Sequence, residues 1–164
     1  MTAEKYARIK NWFDEKPQRI SVLKAVSKIT SGIGYSAYAI LIIYLAVTGD
    51  MRLIRCIAVT GVTFFLATAV RSWIDAPRPY EKLDITPVIP KGTKGRSFPS
   101  RHVVCITIIT AAWYYINIYA GIFMTAVSIA VMIIRPLAGI HFPRDVIAGA
   151  VFSAVCAVVG FVLI

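Results

Sequence analysis

Five stretches of this chain are long and apolar enough, or nearly so, to cross a lipid bilayer. Nothing else in the sequence constrains its fold as strongly. They lie at approximately 31–49, 52–70, 102–118, 120–134 and 146–164. A helix needs roughly 20 apolar residues to span the hydrocarbon core, with about 17–25 as the usual range. No water is available there to satisfy the backbone, so each stretch is expected to be a helix rather than an isolated strand. The whole chain agrees: 58% of its 164 residues are hydrophobic and 16% charged. Soluble domains run nearer 45–50% and about 25%, and a water-soluble protein of this size could not hide so much apolar surface. The expected fold is all-α, an integral membrane helical bundle of about five transmembrane helices.

The fourth stretch is the shortest and is expected to tilt little, forming a tight hairpin with the third through Asn117 to Gly121. Residues 1–30 differ. Ile20, Leu23, Val26 and Ile29 recur at helical spacing while Arg19, Lys24 and Lys28 interrupt any span. Pro17 separates them from an earlier amphipathic turn with Tyr6, Ile9, Trp12 and Phe13. That pattern suits a helix lying on the membrane surface. The chain therefore divides into an amphipathic N-terminal segment, 1–30, and a transmembrane domain, 31–164. No cleavable leader is expected, because the first thirty residues lack a clean apolar stretch.

Residues 71–101 break the apolar pattern, with five of the eight prolines together with Gly92 and Gly95. A long ordered loop of this kind in a compact protein is usually functional. Five crossings bring the end of the second span, the start of the third, the end of the fourth and the start of the fifth to one face. Arg71, Arg78, His102, Arg135, His141 and Asp145 can then converge, and they include both histidines of the chain.

The charge balance, 18 Lys+Arg against 8 Asp+Glu, suits anionic headgroups or phosphate; nucleic acid is the weaker reading because no soluble basic domain remains to bind it. Cys56, Cys105 and Cys156 lie far apart in apolar runs, as small buried hydrophobes do. Several arginines aimed at one point suit a dense anion, since guanidinium groups make bidentate, charge-assisted hydrogen bonds to phosphate oxygens. One imidazole can attack while another moves a proton, and an aspartate four residues after a histidine can hold its tautomer. No cluster with two-metal spacing is visible, and no metal or cofactor is called for, so the arginines are expected to supply the electrostatic stabilisation. Phosphoryl transfer through a phosphohistidine fits these residues.

The spacing resembles the type-2 phosphatidic-acid phosphatase superfamily, membrane relatives of the vanadium haloperoxidases. That family carries Lys-x6-Arg-Pro, Pro-Ser-Gly-His and Ser-Arg-x5-His-x3-Asp. Here these stand as Arg71-x6-Arg78-Pro79, Pro99-Ser100-Arg101-His102 and Arg135-x5-His141-x3-Asp145, in the same order, within roughly residues 60–164. The resemblance implies that His141 is the nucleophile, oriented by Asp145. It implies that His102 protonates the leaving group and then activates water, and that Arg71, Arg78, Arg135 and Ser100 bind phosphate. Three positions depart from the pattern. Arg71 replaces lysine, Ile134 replaces the serine before Arg135, and Arg101 replaces the glycine before His102, where it adds a cation able to grip a second phosphate. The chain is also shorter than the six-span arrangement common in the family.

The implied substrate is a phosphorylated lipid: phosphatidate, phosphatidylglycerol phosphate or a polyprenyl pyrophosphate such as undecaprenyl pyrophosphate. The surplus cations Lys91, Lys94, Arg96 and Arg144 tilt the balance toward a diphosphate head. The alternative is a non-catalytic membrane protein that binds or flips anionic phospholipids, although headgroup binding alone needs neither histidine nor Asp145. Sixteen of the 18 Lys/Arg fall on the presumed active face or the N-terminal segment, with Arg52 and Arg55 opposite. The excess of cations on cytoplasmic loops then places the site on the cytoplasmic face of the cell membrane.

Overall fold

The structure, a computed structural model, describes residues 1–163 and is all-helical among them. In chain order the helices are α1 (Ala3–Asp14), α2 (Pro17–Val47), α3 (Arg52–Ile74), the single turn α4 (Pro79–Lys82), α5 (Arg101–Ile116), α6 (Ile118–Leu137) and α7 (Pro143–Ala157). A π-helical stretch, Val158–Leu163, continues α7. Four of these spans are long and apolar enough to cross a membrane, and α5 is a shorter apolar helix. Ile164, the end of the fifth expected span, lies outside the described residues.

Two expectations are corrected. The boundary expected near residue 30 falls inside one helix, because α2 runs unbroken for 31 residues from Pro17. Pro17 occupies the first turn, where its missing N–H costs nothing. Arg19, Lys24 and Lys28 exclude their turns from hydrocarbon but not from the helix. At ~1.5 Å per residue α2 is about 46 Å long, against roughly 30 Å of hydrocarbon, so its charged end can stand at headgroup level. The separate amphipathic helix is α1 alone, whose buried face carries Tyr6 and Phe13.

The second correction concerns length. The fourth span is not short: α6 has 20 residues, whereas α5 has 16. Asn117 ends α5 early and caps α6, its Oδ1 accepting from Ala120 N at 3.0 Å. A helix of 16 residues covers only about 24 Å, so the start of α5 can lie below the surface that its longer neighbours reach.

α5 is the hub of the bundle. Val103, Ile106 and Ile109 pack with Met124, Val127 and Val131 of α6 and Val146 of α7. On the far half, Ile108 and Ala112 join Leu41, Leu45, Cys56 and Phe161. Over the other end, Phe13 and Leu23 pack on Val88, Ile134 and Ile140, so the N-terminal helices and the long loop cover the end of α6. Gly149 lets α7 cross the first turn of α5: a Cβ there would sit 3.0 Å from the Ser100 carbonyl oxygen. At that crossing Ser100 N donates to Asp145 O at 2.9 Å.

Candidate active site

The end of α3, the long loop, the start of α5 and the α6–α7 connection surround one cavity of about 460 Å³. Arg71, Arg78, Arg101, His102 and His141 line it, as the motif spacing led one to expect, together with Lys91, Lys94 and Arg96. Arg144 does not line it; its guanidinium stands 5.2 Å above the Phe142 ring. Ser100, Arg135 and Asp145, expected at the same site, are buried and do not line it.

The cations are held without being neutralised. Arg71 donates to the Pro99 carbonyl. Arg78 donates through Nε to Gly95 O at 3.0 Å and through Nη1 to Ile140 O at 3.4 Å. Arg135 Nη2 reaches Ser31 Oγ at 3.3 Å, leaving its Nε with no hydrogen-bond partner. Among the described residues none of these three makes an ion pair. Carbonyl oxygens orient a guanidinium while leaving its full charge for an anion. Burial, reinforced by Arg78, Arg135, Arg71 and Arg101, pushes the Lys91 ammonium down to about 8. Ser100 starts α5, yet its buried Oγ makes no capping bond and has no partner.

The loop owes its shape to two carboxylates. Asp75 and Glu81 accept from main-chain amides rather than pairing with the cations around them. Glu81 Oε2 takes Arg78 N at 2.8 Å and Gly95 N at 2.9 Å, and Asp75 Oδ1 takes Arg96 N at 3.1 Å. Gly95 is required, since its φ is +62° and a Cβ would meet Asp75 Oδ1 at 2.6 Å. Tyr80 closes the loop by donating to Thr93 O. Amides cannot be foreseen as partners from charge patterning, because every residue but proline offers one.

His141 is 1% exposed and Asp145 is fully buried. Burial, with Arg78 and Arg71 nearby, pushes the His141 imidazole down to about 4 against the opposite pull of Asp145. The ring is therefore neutral at neutral pH, with a lone pair available. Asp145 Oδ2 is 3.8 Å from His141 Nδ1, beyond hydrogen-bond distance. Ser97 lies between them, and Asp145 also accepts from Phe142 N at 3.1 Å at the start of α7. From the other side, Tyr6 of α1 donates to the His141 carbonyl at 3.1 Å and meets Phe142 edge-on. Burial and the nearby Asp145 carboxylate push the Tyr6 phenol up, so it stays a donor. The sequence marked Tyr6 only as part of an amphipathic turn and did not mark Ser97; the Tyr6 contact joins positions 135 residues apart.

His102 borders two spaces at once. It faces the cationic cavity, and it also lines a cleft with Gly34, Tyr35, Ile106, Ile109 and Val131 between α2, α5 and α6. Among the described residues no group of three His, Cys, Asp or Glu is placed to hold a metal ion.

Membrane-spanning helices thus carry, at one end, an unneutralised anion cavity containing both histidines. The sequence profile of the PAP2 superfamily matches residues 49–164. The chain belongs to that superfamily, the membrane lipid phosphatases whose three motifs it resembles. No curated protein matches it by sequence. Among solved structures it is similar to LpxE of Aquifex aeolicus, with 22% identity, a TM-score of 0.74 and coverage of 97% of this chain and 93% of that one. It is also similar to the PAP2-type phosphatidylglycerolphosphate phosphatase of Bacillus subtilis, with 18% identity, a TM-score of 0.71 and coverage of 95% and 82%. At these identities the likeness is one of fold, and it extends to α1 and α2, beyond the matched profile.

Proposed function

We propose that this protein removes a phosphate from the phosphate or pyrophosphate headgroup of a lipid through a covalent phosphohistidine. His141 Nε2 attacks phosphorus and the bond from phosphorus to the leaving oxygen breaks. His102 gives that oxygen a proton, then takes one from the water that cleaves the N–P bond and releases phosphate. Arg71, Arg78, Arg101 and Arg135 balance the charge developing on the phosphoryl oxygens. The unpartnered Ser100 Oγ and Arg135 Nε are groups a phosphate oxygen would satisfy. Asp145 supports the cationic form of His141 once the N–P bond has formed.

The observation that carries this reading is the position of His102 between a cationic and a largely apolar space. The second space has room for little more than a water molecule, about 20 Å³. An amphiphile can therefore put its phosphate in the first while its tail lies outside against the lipid-facing helices, which sets the leaving oxygen beside His102. Lys91, Lys94 and Arg96 offer more positive charge than one phosphate needs, favouring a pyrophosphate head such as that of undecaprenyl pyrophosphate over phosphatidate or phosphatidylglycerol phosphate. The cation bias favours a site on the cytoplasmic face of the cell membrane: α1 rests on the catalytic loop, so its cations lie on the same side as the cavity.

The test is phosphate release by the purified protein in detergent micelles with excess chelator, offering these three lipids side by side. Turnover that resists chelator and vanishes in His141→Ala is the expected result. A folded wild type that binds all three lipids yet releases no phosphate overturns the proposal and leaves a binding or flipping protein.

A further inference from the structure

We infer that Ser97 is the positioning residue through which Asp145 sets the tautomer of His141. The inference rests on the reading of His141 as nucleophile. Ser97 is fully buried, and its Oγ donates to Asp145 Oδ2 at 2.6 Å while standing 3.2 Å from His141 Nδ1. The direct His141–Asp145 separation is 3.8 Å, so among the described residues the hydroxyl bridges the two.

The bridge has a direction. A hydroxyl carries one proton and two lone pairs, and a carboxylate only accepts. The Ser97 proton is therefore committed to Asp145, and what faces Nδ1 is a lone pair. That contact is a hydrogen bond only when Nδ1 carries the proton. Nε2 is then bare, which is the state in which it can attack phosphorus. When the N–P bond forms, the imidazole becomes cationic, and the chain from Nδ1–H through the hydroxyl to the carboxylate spreads that charge without any net proton transfer. The other charged and titratable groups around the ring are Arg78, which donates to Ile140 O, Arg71 at the end of α3, and His102 across the cavity. The two guanidinium groups only donate and His102 stands across the cavity, so none of them accepts the hydrogen bond from Nδ1 in place of Ser97.

Ser97 is placed by its backbone as well. Its N–H donates to Ala76 O at 2.8 Å, just beyond the αL residue that ends α3, and it follows the Gly95–Arg96 turn that holds Arg78 and Asp75. The long loop thus contributes to the nucleophile as well as to the anion cavity.

The experiment compares wild type, Ser97→Ala, Ser97→Thr, Ser97→Cys and His141→Ala in the micelle assay, with nitrogen NMR of labelled histidine. The chain has two histidines, so a His102→Gln background isolates the His141 ring. Ser97→Ala is expected to lower kcat by roughly 10- to 100-fold, as loss of an orienting hydrogen bond does, while KM stays within about threefold. Its spectrum is expected to shift from a protonated Nδ1 toward a mixture of tautomers. Ser97→Thr keeps the hydroxyl and should recover most of the rate. If Ser97→Ala does not fold, Ser97→Cys supplies the same reading, since a thiol is a weak donor of similar size. An unchanged tautomer and kcat in Ser97→Ala or Ser97→Cys, with His141→Ala inactive, overturns the relay alone. A fully active His141→Ala overturns the nucleophile reading itself.

Discussion

The two ends of the bundle treat their cations in opposite ways. At one end Arg52 is closed by Asp50, with Nη2 at 2.6 Å from Oδ2 and Nε at 3.0 Å from both carboxylate oxygens. The cluster beneath it is plain apolar packing around Leu41, Cys56 and Phe161. At the other end Arg71 and Arg78 are buried and held only by main-chain carbonyls. A carboxylate partner would stabilise these arginines more, but it would also occupy them. Leaving several cations buried without anions costs folding free energy, a cost that the phosphate of the proposed substrate would offset. The same residue type is thus half-exposed and closed by a carboxylate at one end, and buried and left open to an anion at the other.

Mutations that cross this divide should separate it sharply. The largest effect belongs to His141→Ala, expected to lower kcat by at least about 10³-fold while the lipid still binds; phosphate release and micelle co-sedimentation read the two separately. Next comes the paired comparison. Arg78→Ala should lose on the order of 10²-fold in kcat/KM, and Arg78→Lys should recover little, because one ammonium cannot reach both Gly95 and Ile140 while facing the anion. Arg52→Ala, at the neutralised end, should stay within about twofold. Equal losses at both ends would erase the distinction.

Lys91 sharpens the account of the substrate. With its ammonium near 8, the free site loses a positive charge as pH rises through that value, and a bound anion draws the proton back. Affinity should therefore fall above about pH 8 in wild type and lose that dependence in Lys91→Gln. The same change should penalise a pyrophosphate lipid about tenfold more than a monophosphate one, which is what one charge-assisted hydrogen bond supplies. On the acid side, His141 keeps its lone pair until pH approaches about 4. Its protonation should therefore not limit the rate between neutral pH and about 5. The smallest effect is expected from Tyr6→Phe, which leaves the His141 carbonyl without its donor but keeps the ring against Phe142. About 1 kcal/mol of stability and a few-fold in kcat should go, read by thermal unfolding and turnover.

Much of the site was legible in the sequence because its motif residues sit at fixed offsets on helix ends. Arg71, Arg78, His102, Arg135, His141 and Asp145 could be assigned to one face by counting crossings; the cavity gathers Arg71, Arg78, His102 and His141, whereas Arg135 and Asp145 are buried outside its lining. The remainder depends on contacts that carry no local pattern. Ser97 and Asp145 are 48 positions apart, and nothing about a serine in a Pro/Gly-rich loop marks it as a bridge. Glu81 and Asp75 shape the loop through main-chain amides, partners that leave no mark in a charge pattern. The continuity of α2 was missed because Arg19, Lys24 and Lys28 end an apolar run without ending a helix. Charge reports where hydrocarbon stops, and only capping groups or proline report where a helix stops.

The most direct test of the central claim is to trap the covalent intermediate. A lipid substrate carrying labelled phosphorus at the scissile phosphate would be mixed with the enzyme and quenched in alkali, which preserves phosphohistidine. The label is expected on the peptide containing His141, at a level that rises and falls with turnover, and it should be absent from His141→Ala. Normal turnover with no protein-bound label, or with the label on His102, would contradict the account.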